Sequence, residues 1–303
     1  MKFVTGEKDE TVFIGIMTED ESSVIDLGKG RQEQIGINDL PLSMIECISL
    51  GDEFVEKVQS LLEWLQDHPA SARGVMHLRA EIVLHAPIPR PSKNIFCVGK
   101  NYAEHAIEMG SKEDIPEHVM IFTKAPTTVI GPNQQVSHHL RVTEQLDYEG
   151  ELAVIIGKKG KEISKENALD YVFGYTIIND ITARDLQAKH KQFFIGKSLD
   201  TTCPMGPWIV HKSQIPNPNY LHIQTKVNGE VRQNSTTAHF IFSIEEVISV
   251  LSQGMTLEPG DIVATGTPAG VGKGFNPPRF LKPEDQIEIS IEGIGTLMNT
   301  LES

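Results

Sequence analysis

Glu149 and Glu151 stand one residue apart in Leu146-Asp-Tyr-Glu-Gly-Glu-Leu-Ala-Val-Ile-Ile156, at the head of a run that reads as a buried strand. Residues i and i+2 of a strand point to one face, so both acids project together. Side by side on a face turned to a core they repel and are costly to bury, unless a cation lies between them. The pair is therefore read as half of a divalent-metal site. Asp180 offers the next donor. It ends the β-rich run Val172-Phe-Gly-Tyr-Thr-Ile-Ile-Asn-Asp180 and precedes a helical stretch, Ile181–His190, where a carboxylate is either a ligand or a helix N-cap. Three carboxylates are hard oxygen donors, which favours Mg²⁺ or Mn²⁺ over zinc and leaves coordination positions open for substrate and water.

Other side chains could surround such an ion. Arg184 and Gln187 fall at i, i+3 on the helical stretch and share a face. An arginine fork suits a substrate carboxylate and a glutamine amide orients a water or carbonyl, whereas the plain alternative is a solvated helix face. Lys197 lies between Phe193-Phe194 and a turn-rich loop, as either an exposed cation or a pocket cation. In Asn101-Tyr-Ala-Glu-His-Ala-Ile-Glu-Met-Gly110 a helical turn puts His105 and Glu108 on one face, where the carboxylate can orient the imidazole and raise its basicity. The polar Gly110–Pro116 that follows reads as a movable lid. Gly266-Thr-Pro-Ala-Gly-Val-Gly-Lys-Gly274 is not a phosphate loop, because its spacing before the lysine is too long and Gly274 replaces the Mg²⁺-binding Ser or Thr. It is a loop whose backbone can approach a small ligand, with Thr267 as the hydroxyl to reach it.

The elements that must hold these groups follow from pattern. The chain has 303 residues, enough for a small domain plus a larger one. Its net charge of -14 argues against nucleic-acid or anionic-membrane partners. Cys47, Cys97 and Cys203 are odd in number and far apart, which fits a reducing compartment; with no signal core and no long apolar run, cytoplasmic residence is expected. Thr11–Met17 and Ser23–Leu27 flank a polar turn and predict a hairpin. Phe54–Leu65 carries apolar residues at helical spacing. Prolines in His85–Ser92 force extended backbone, so the boundary is placed there, with a small α+β domain over 1–88 and a catalytic domain over 89–303. Beyond it, β-branched runs separated by Gly and Pro predict a mixed α/β, mainly β fold.

Taken together, Gly99-Lys-Asn-Tyr-Ala-Glu-His105, Asp147-Tyr-Glu-Gly-Glu151, Asn179-Asp-Ile-Thr-Ala-Arg-Asp185, Gly196-Lys-Ser-Leu-Asp200 and Gly266–Gly272 resemble the fumarylacetoacetate hydrolase superfamily from about Pro91 to the C-terminus. The resemblance implies a β-roll catalytic core and a homodimer. It implies metal binding by Glu149, Glu151 and Asp180, a catalytic His105–Glu108 dyad on a lid that orders over substrate, and pocket roles for Arg184, Gln187, Lys197 and Thr267. The N-terminal extension and C-terminal pattern narrow it to oxaloacetate-acting members. The expected activity is metal-dependent decarboxylation of oxaloacetate to pyruvate and CO₂ through an enolate that the ion stabilises. Hydrolysis of acylpyruvate or fumarylpyruvate C–C bonds and oxaloacetate tautomerisation are the alternatives, with a non-catalytic binding or regulatory role behind them.

Overall fold

The computed structural model describes residues 1–33 and 40–303. Strands β1 (Lys2–Lys8), β2 (Thr11–Met17) and β3 (Ser23–Asp26) form an antiparallel meander. The turn between β2 and β3 lies where the polar residues predict it, with the Asp20 carboxylate accepting the Ser22 N–H at 3.1 Å. Helix α1 (Asp52–Asp67) buries Phe54, Val58, Leu61 and Leu65, the stripe that helical spacing predicts. Short strands β4 (Met76–Leu78) and β5 (Val83–Leu84) complete this part of the chain.

Beyond the prolines come β6 (Ile95–Gly99), α2 (Ala103–Met109), β7 (Met120–Lys124), β8 (Gly150–Ile156) and β9 (Val172–Asn179). They are followed by α3 (Arg184–His190), α4 (Phe194–Lys197), β10 (Cys203–His211), β11 (His222–Val227) and β12 (Glu230–Thr236). Strands β13 (Ile262–Ala264), β14 (Gln286–Ile291) and β15 (Gly295–Leu301) end the chain. Among the described residues, twelve strands share one sheet with the path β4-β3-β2-β1-β10-β9-β8-β13-β6-β7, and five share another that runs β12-β11-β14-β15. The mixed α/β, mainly β expectation therefore holds.

Strand β8 is buried at every residue because both of its faces are covered. Leu152, Val154 and Ile156 share a core with Ile223, Ile287 and Ile289 of the second sheet, while Ala153 and Ile155 share one with Phe3, Phe54 and Phe173. A continuous apolar run, rather than alternation, is what a strand covered on both faces requires. Phe3 packs 5.0 Å from Phe54 and 5.2 Å from Phe173, ring centre to ring centre. Strand β1 also pairs with β10 through Lys2 opposite Val210 and Phe3 opposite Ile209, so segments on either side of the 88/89 division are hydrogen-bonded neighbours. All three cysteines are buried and free. No helix among the described residues is long and apolar enough to cross a membrane.

Candidate active site

The register of two strands assembles the acidic cluster. Strands β8 and β9 pair antiparallel with Gly150 opposite Asn179 and Glu151 opposite Ile178. One step outside that ladder the Asp180 N–H donates to the Glu149 carbonyl at 2.8 Å, and Asn179 Oδ1 accepts the Glu149 N–H at 3.0 Å. Glu149 thus precedes the strand by one residue and still joins Glu151, because Asp180 and Asn179 hold it there. One carboxylate oxygen from each of Glu149, Glu151 and Asp180 lies within 4.8 Å of the others, and all three residues are buried. Asp180 is not a helix cap. Thr182–Ala183 pair with Leu146–Asp147 as a short strand, and Ala183 holds the N-cap position of α3.

Three buried cations face these acids. Lys197, at the end of α4, places Nζ 2.6 Å from Glu149 Oε2 and 2.7 Å from Asp180 Oδ2, over the Phe122 ring at 4.7 Å. Lys124 is fully buried with Nζ 2.9 Å from Asp180 Oδ1, and it donates to the Ile181 carbonyl at 3.0 Å and the Lys197 carbonyl at 2.5 Å. Arg184 turns three nitrogens to protein oxygens: Nε to Asp147 Oδ2 at 2.8 Å, Nη2 to Glu149 Oε1 at 2.7 Å and Nη1 to Gln187 Oε1 at 3.3 Å. This differs from the expected fork toward a substrate carboxylate, because two buried acids of the protein claim the guanidinium first.

The electrostatics separate the acids. Burial opposes the charge on Glu149, but the Lys197 ammonium and the Arg184 guanidinium outweigh it and hold its carboxyl well below the usual range. Glu151 goes the other way: burial first, then the charges of Asp180 and Glu149, push it well above that range. Among the described residues its Oε2 receives only the Gly266 N–H, at 2.8 Å. Burial also opposes the charge on Lys197, yet Asp180 and Glu149 raise its pKa, so it stays an ammonium. Asp180 Oδ1 is buried without an aligned hydrogen bond. A buried acid pressed against two others, together with an oxygen that has the Lys124 ammonium at 2.9 Å but no aligned hydrogen bond, is what a divalent-cation site offers. The residues fit Mg²⁺ or Mn²⁺, since every donor is a carboxylate oxygen.

The dyad stands on α2, which forms where the sequence predicts. His105 Nδ1 lies 3.3 Å from Glu108 Oε2, and Glu108 Oε1 accepts the Gly270 N–H at 2.9 Å. With that carboxylate as acceptor Nδ1 carries a proton, and in the neutral ring Nε2 keeps the lone pair that a base needs. The glycine-rich loop does permit close approach, but to Glu108. A Cβ on Gly274 would lie 2.1 Å from Glu108 Oε1, and Gly270 takes φ +105° where a Cβ would meet the Arg232 carbonyl at 2.0 Å. Asp147 fixes the same loop by accepting the N–H of Gly272 at 2.6 Å and of Lys273 at 3.1 Å. The segment after α2, expected as an irregular lid, contains a short 3₁₀ turn at Lys112–Asp114, whose Asp114 accepts the Ser111 N–H at 2.9 Å.

These groups meet in one cavity of about 380 Å³. Every expected site residue lines it except Asp180 and Glu108, which reach it through Lys197 and His105. Thr267 lines it, but its hydroxyl donates to the Gly150 carbonyl at 2.9 Å and accepts from Gln233 Nε2 at 2.7 Å. Sequence reasoning missed Lys124, Asp147 and Asn101. Lys124 had a signal, a charge that closes the β-rich run Met120-Ile-Phe-Thr123, whereas Asp147, set among Glu144, Glu149 and Glu151, had none that singles it out. Asn101, which donates to the carbonyls of Phe242 at 3.1 Å and Thr265 at 2.8 Å and so anchors the base of α2, had none.

The comparisons agree with this geometry. The sequence profile described as Fumarylacetoacetate (FAA) hydrolase C-terminal matches residues 94–302. The oxaloacetate tautomerase YisK of Bacillus subtilis (strain 168) is 58% identical over 301 residues, covering 99% of this chain and 100% of that protein. The solved fumarylacetoacetate hydrolase from psychrophilic Exiguobacterium antarcticum is 40% identical, with a TM-score of 0.83 over 100% of this chain and 99% of that one. A 5-carboxymethyl-2-hydroxymuconate delta-isomerase from Mycobacterium smegmatis is 31% identical, with a TM-score of 0.73 over 100% and 98% of the two chains.

Proposed function

The chain belongs to the fumarylacetoacetate hydrolase family, and from that premise we propose that it is a divalent-metal enzyme that interconverts the keto and enol forms of oxaloacetate by proton transfer at C3. The observation that carries this reading is a base over the acids: His105, oriented by Glu108, lines the same cavity as Glu149 and Glu151. An ion held by Glu149, Glu151 and Asp180, Mg²⁺ or Mn²⁺, supplies Lewis-acid polarisation of the 2-oxo group. His105 Nε2 takes the C3 proton, leaving a pair of electrons to delocalise onto the keto oxygen. Glu108 accepts from Nδ1 and stabilises the imidazolium that results. Lys197 holds Glu149 and Asp180 in place, and Arg184 does the same for Glu149 from the other side. Gln187 accepts from Arg184 through Oε1 and keeps its amide N–H groups to donate to substrate. The proton returns to the enol oxygen or to C3, so the step is a net isomerisation.

Decarboxylation of oxaloacetate, expected from the sequence, passes through the same enolate. Loss of CO₂ needs no proton acceptor in the bond-breaking step, however, so it leaves the dyad without a use there. The 58% identity to a protein named oxaloacetate tautomerase supports the isomerisation further. A homodimer working in the cytoplasm is part of the same proposal, and three free, buried thiols are compatible with a reducing compartment.

The experiment follows the enol absorbance of oxaloacetate alongside CO₂ and pyruvate, with protein plus Mn²⁺ and with Mn²⁺ alone. Enol–keto relaxation is expected to exceed the metal-only rate while CO₂ release stays near it. Relaxation no faster than the metal control sinks the proposal, and CO₂ release that outpaces relaxation returns the assignment to a decarboxylase.

A further inference from the structure

The cavity is lined by five cationic side chains besides His105, on a chain whose net charge is -14. Three of the five are committed. Arg184 and Lys197 serve the buried acids, and Lys100 Nζ pairs with Asp114 Oδ1 at 2.9 Å. Lys191 and Lys273 are lined up on the same space with no ion-pair or hydrogen-bond partner for their ammonium groups among the described residues. The two differ in how well they are placed. Lys191 follows the end of α3 in exposed backbone at φ +59°. Lys273 has its backbone fixed, since its N–H donates to Asp147 Oδ2, the same oxygen that accepts from Arg184 Nε, and Arg184 in turn meets Glu149. Its neighbour Gly274 abuts Glu108, so Lys273 leaves the loop beside the helix that carries the base. Partial burial at the cavity mouth, then the Arg184 charge, lower its pKa, with the Asp147 carboxylate opposing them.

We propose that Lys273 is the specificity residue for a second, distal carboxylate, so that the site prefers short 2-oxo dicarboxylates to 2-oxo monocarboxylates. The inference rests on the reading of the cavity as a 2-oxo acid site. One end of such a substrate lies at the acidic cluster, and C3 faces His105. Whatever C3 carries then points toward the loop next to Glu108, where Lys273 is the placed cation with a free charge. A charge-assisted contact there rewards a carboxylate and gives a methyl group nothing.

The test uses the Mn²⁺-loaded full chain and two stable probes, malate and 2-hydroxybutyrate, which differ in having a distal carboxylate or a methyl group. Calorimetry of the wild type is expected to favour malate by about tenfold or more, the equivalent of about 1.4 kcal/mol. Lys273→Met should close the gap through a loss on malate, Lys273→Arg should keep it, and Lys273→Glu should reverse it. The side chain is exposed at the cavity mouth, and an unchanged melting temperature in each variant checks that folding is not the cause. No preference in the wild type, an unchanged ratio in Lys273→Met, or a gap closed by Lys191→Met instead would each overturn the proposal. A malate preference lost in Lys273→Met without any acceleration of oxaloacetate enolisation would support the carboxylate contact and sink the proposed reaction. Accelerated enolisation with an unchanged ratio would do the reverse.

Discussion

Asp147→Asn is a demanding test of how the site is held together. Asp147 is fully buried and accepts three donors: Arg184 Nε at 2.8 Å, the Gly272 N–H at 2.6 Å and the Lys273 N–H at 3.1 Å. Asparagine keeps the shape but offers one oxygen, so at least one donor meets an amide NH₂ and the guanidinium loses a counter-charge. A hydrogen bond to a charged group contributes about 1.5–3 kcal/mol, and breaking a buried ion pair from one side costs about 3–5 kcal/mol. These overlap, because the same contact is counted in both and Arg184 retains Glu149, so the expected loss is about 3–5 kcal/mol. At roughly 2–4 °C per kcal/mol for domains somewhat smaller than this one, Tm falls by about 10 °C. Turnover should fall as well, since the loosened loop carries the Gly270 N–H that docks Glu108. Calorimetric unfolding with and without Mn²⁺ measures the first effect and enol relaxation the second. A Tm within roughly 2 °C of wild type would show that the three contacts are not what fixes the loop.

Glu151→Gln should leave the metal-free protein as stable as wild type, because burial and two neighbouring acids already favour the neutral form of that carboxyl, yet it should abolish tight Mn²⁺ binding; equal calorimetric affinity would remove Glu151 from the ligand set. Glu149→Gln should lose both metal and stability, since it strips a counter-charge from Arg184 and Lys197, and an unchanged Tm would contradict the pairing described. His105→Ala should lower turnover by about 10²–10⁴-fold with Mn²⁺ affinity intact, whereas joint loss of metal and activity would make it a ligand. Burial, with the N-terminal ammonium and then Lys212 adding to it, lowers His211 to about 4, below the unfolded value near 6.5. The folded state thus resists protonation, so the stability from neutral His211 is complete above pH about 6.5 and disappears as pH falls toward about 4, a loss of up to about 3 kcal/mol. Tm measured across that window should fall less steeply in His211→Asn, and identical slopes would refute the assignment.

Much of the site was legible because it depends on local spacing. Glu149 and Glu151 could be paired from strand geometry, and His105 with Glu108 from a helical turn. Asp180 needs the β8–β9 register, which no local rule supplies, and only Ala183 holding the N-cap position excludes its alternative as a helix cap. Arg184 is recognisable by type, but its partners are not, since Asp147 and Glu149 come to the helix from a segment more than thirty residues earlier. Lys124 is a long-range packing fact: its four oxygen neighbours, Asp180 and the Ile181 and Lys197 carbonyls at closer range and Thr202 Oγ1 at 3.4 Å, are at least 56 residues away. The bond between β1 and β10 was invisible for the same reason. Decarboxylase and tautomerase readings shared every motif, because they diverge in which bond to C3 breaks rather than in which residues surround it.

That last pairing bears on how the chain leaves the ribosome. Lys2 and Val210 lie 208 positions apart, so at about 5–20 residues per second the first strand waits roughly 10–40 s for its partner to be made. An unpaired strand edge over such an interval invites contact with other nascent chains. Here the wait is largely shielded, because Leu84 and Val83 close over Gly6 and Glu7 soon after they emerge. Only Lys2 and Phe3 remain for the later strand, a gap too short to template a foreign one, and the lysine puts a charge at its outer end.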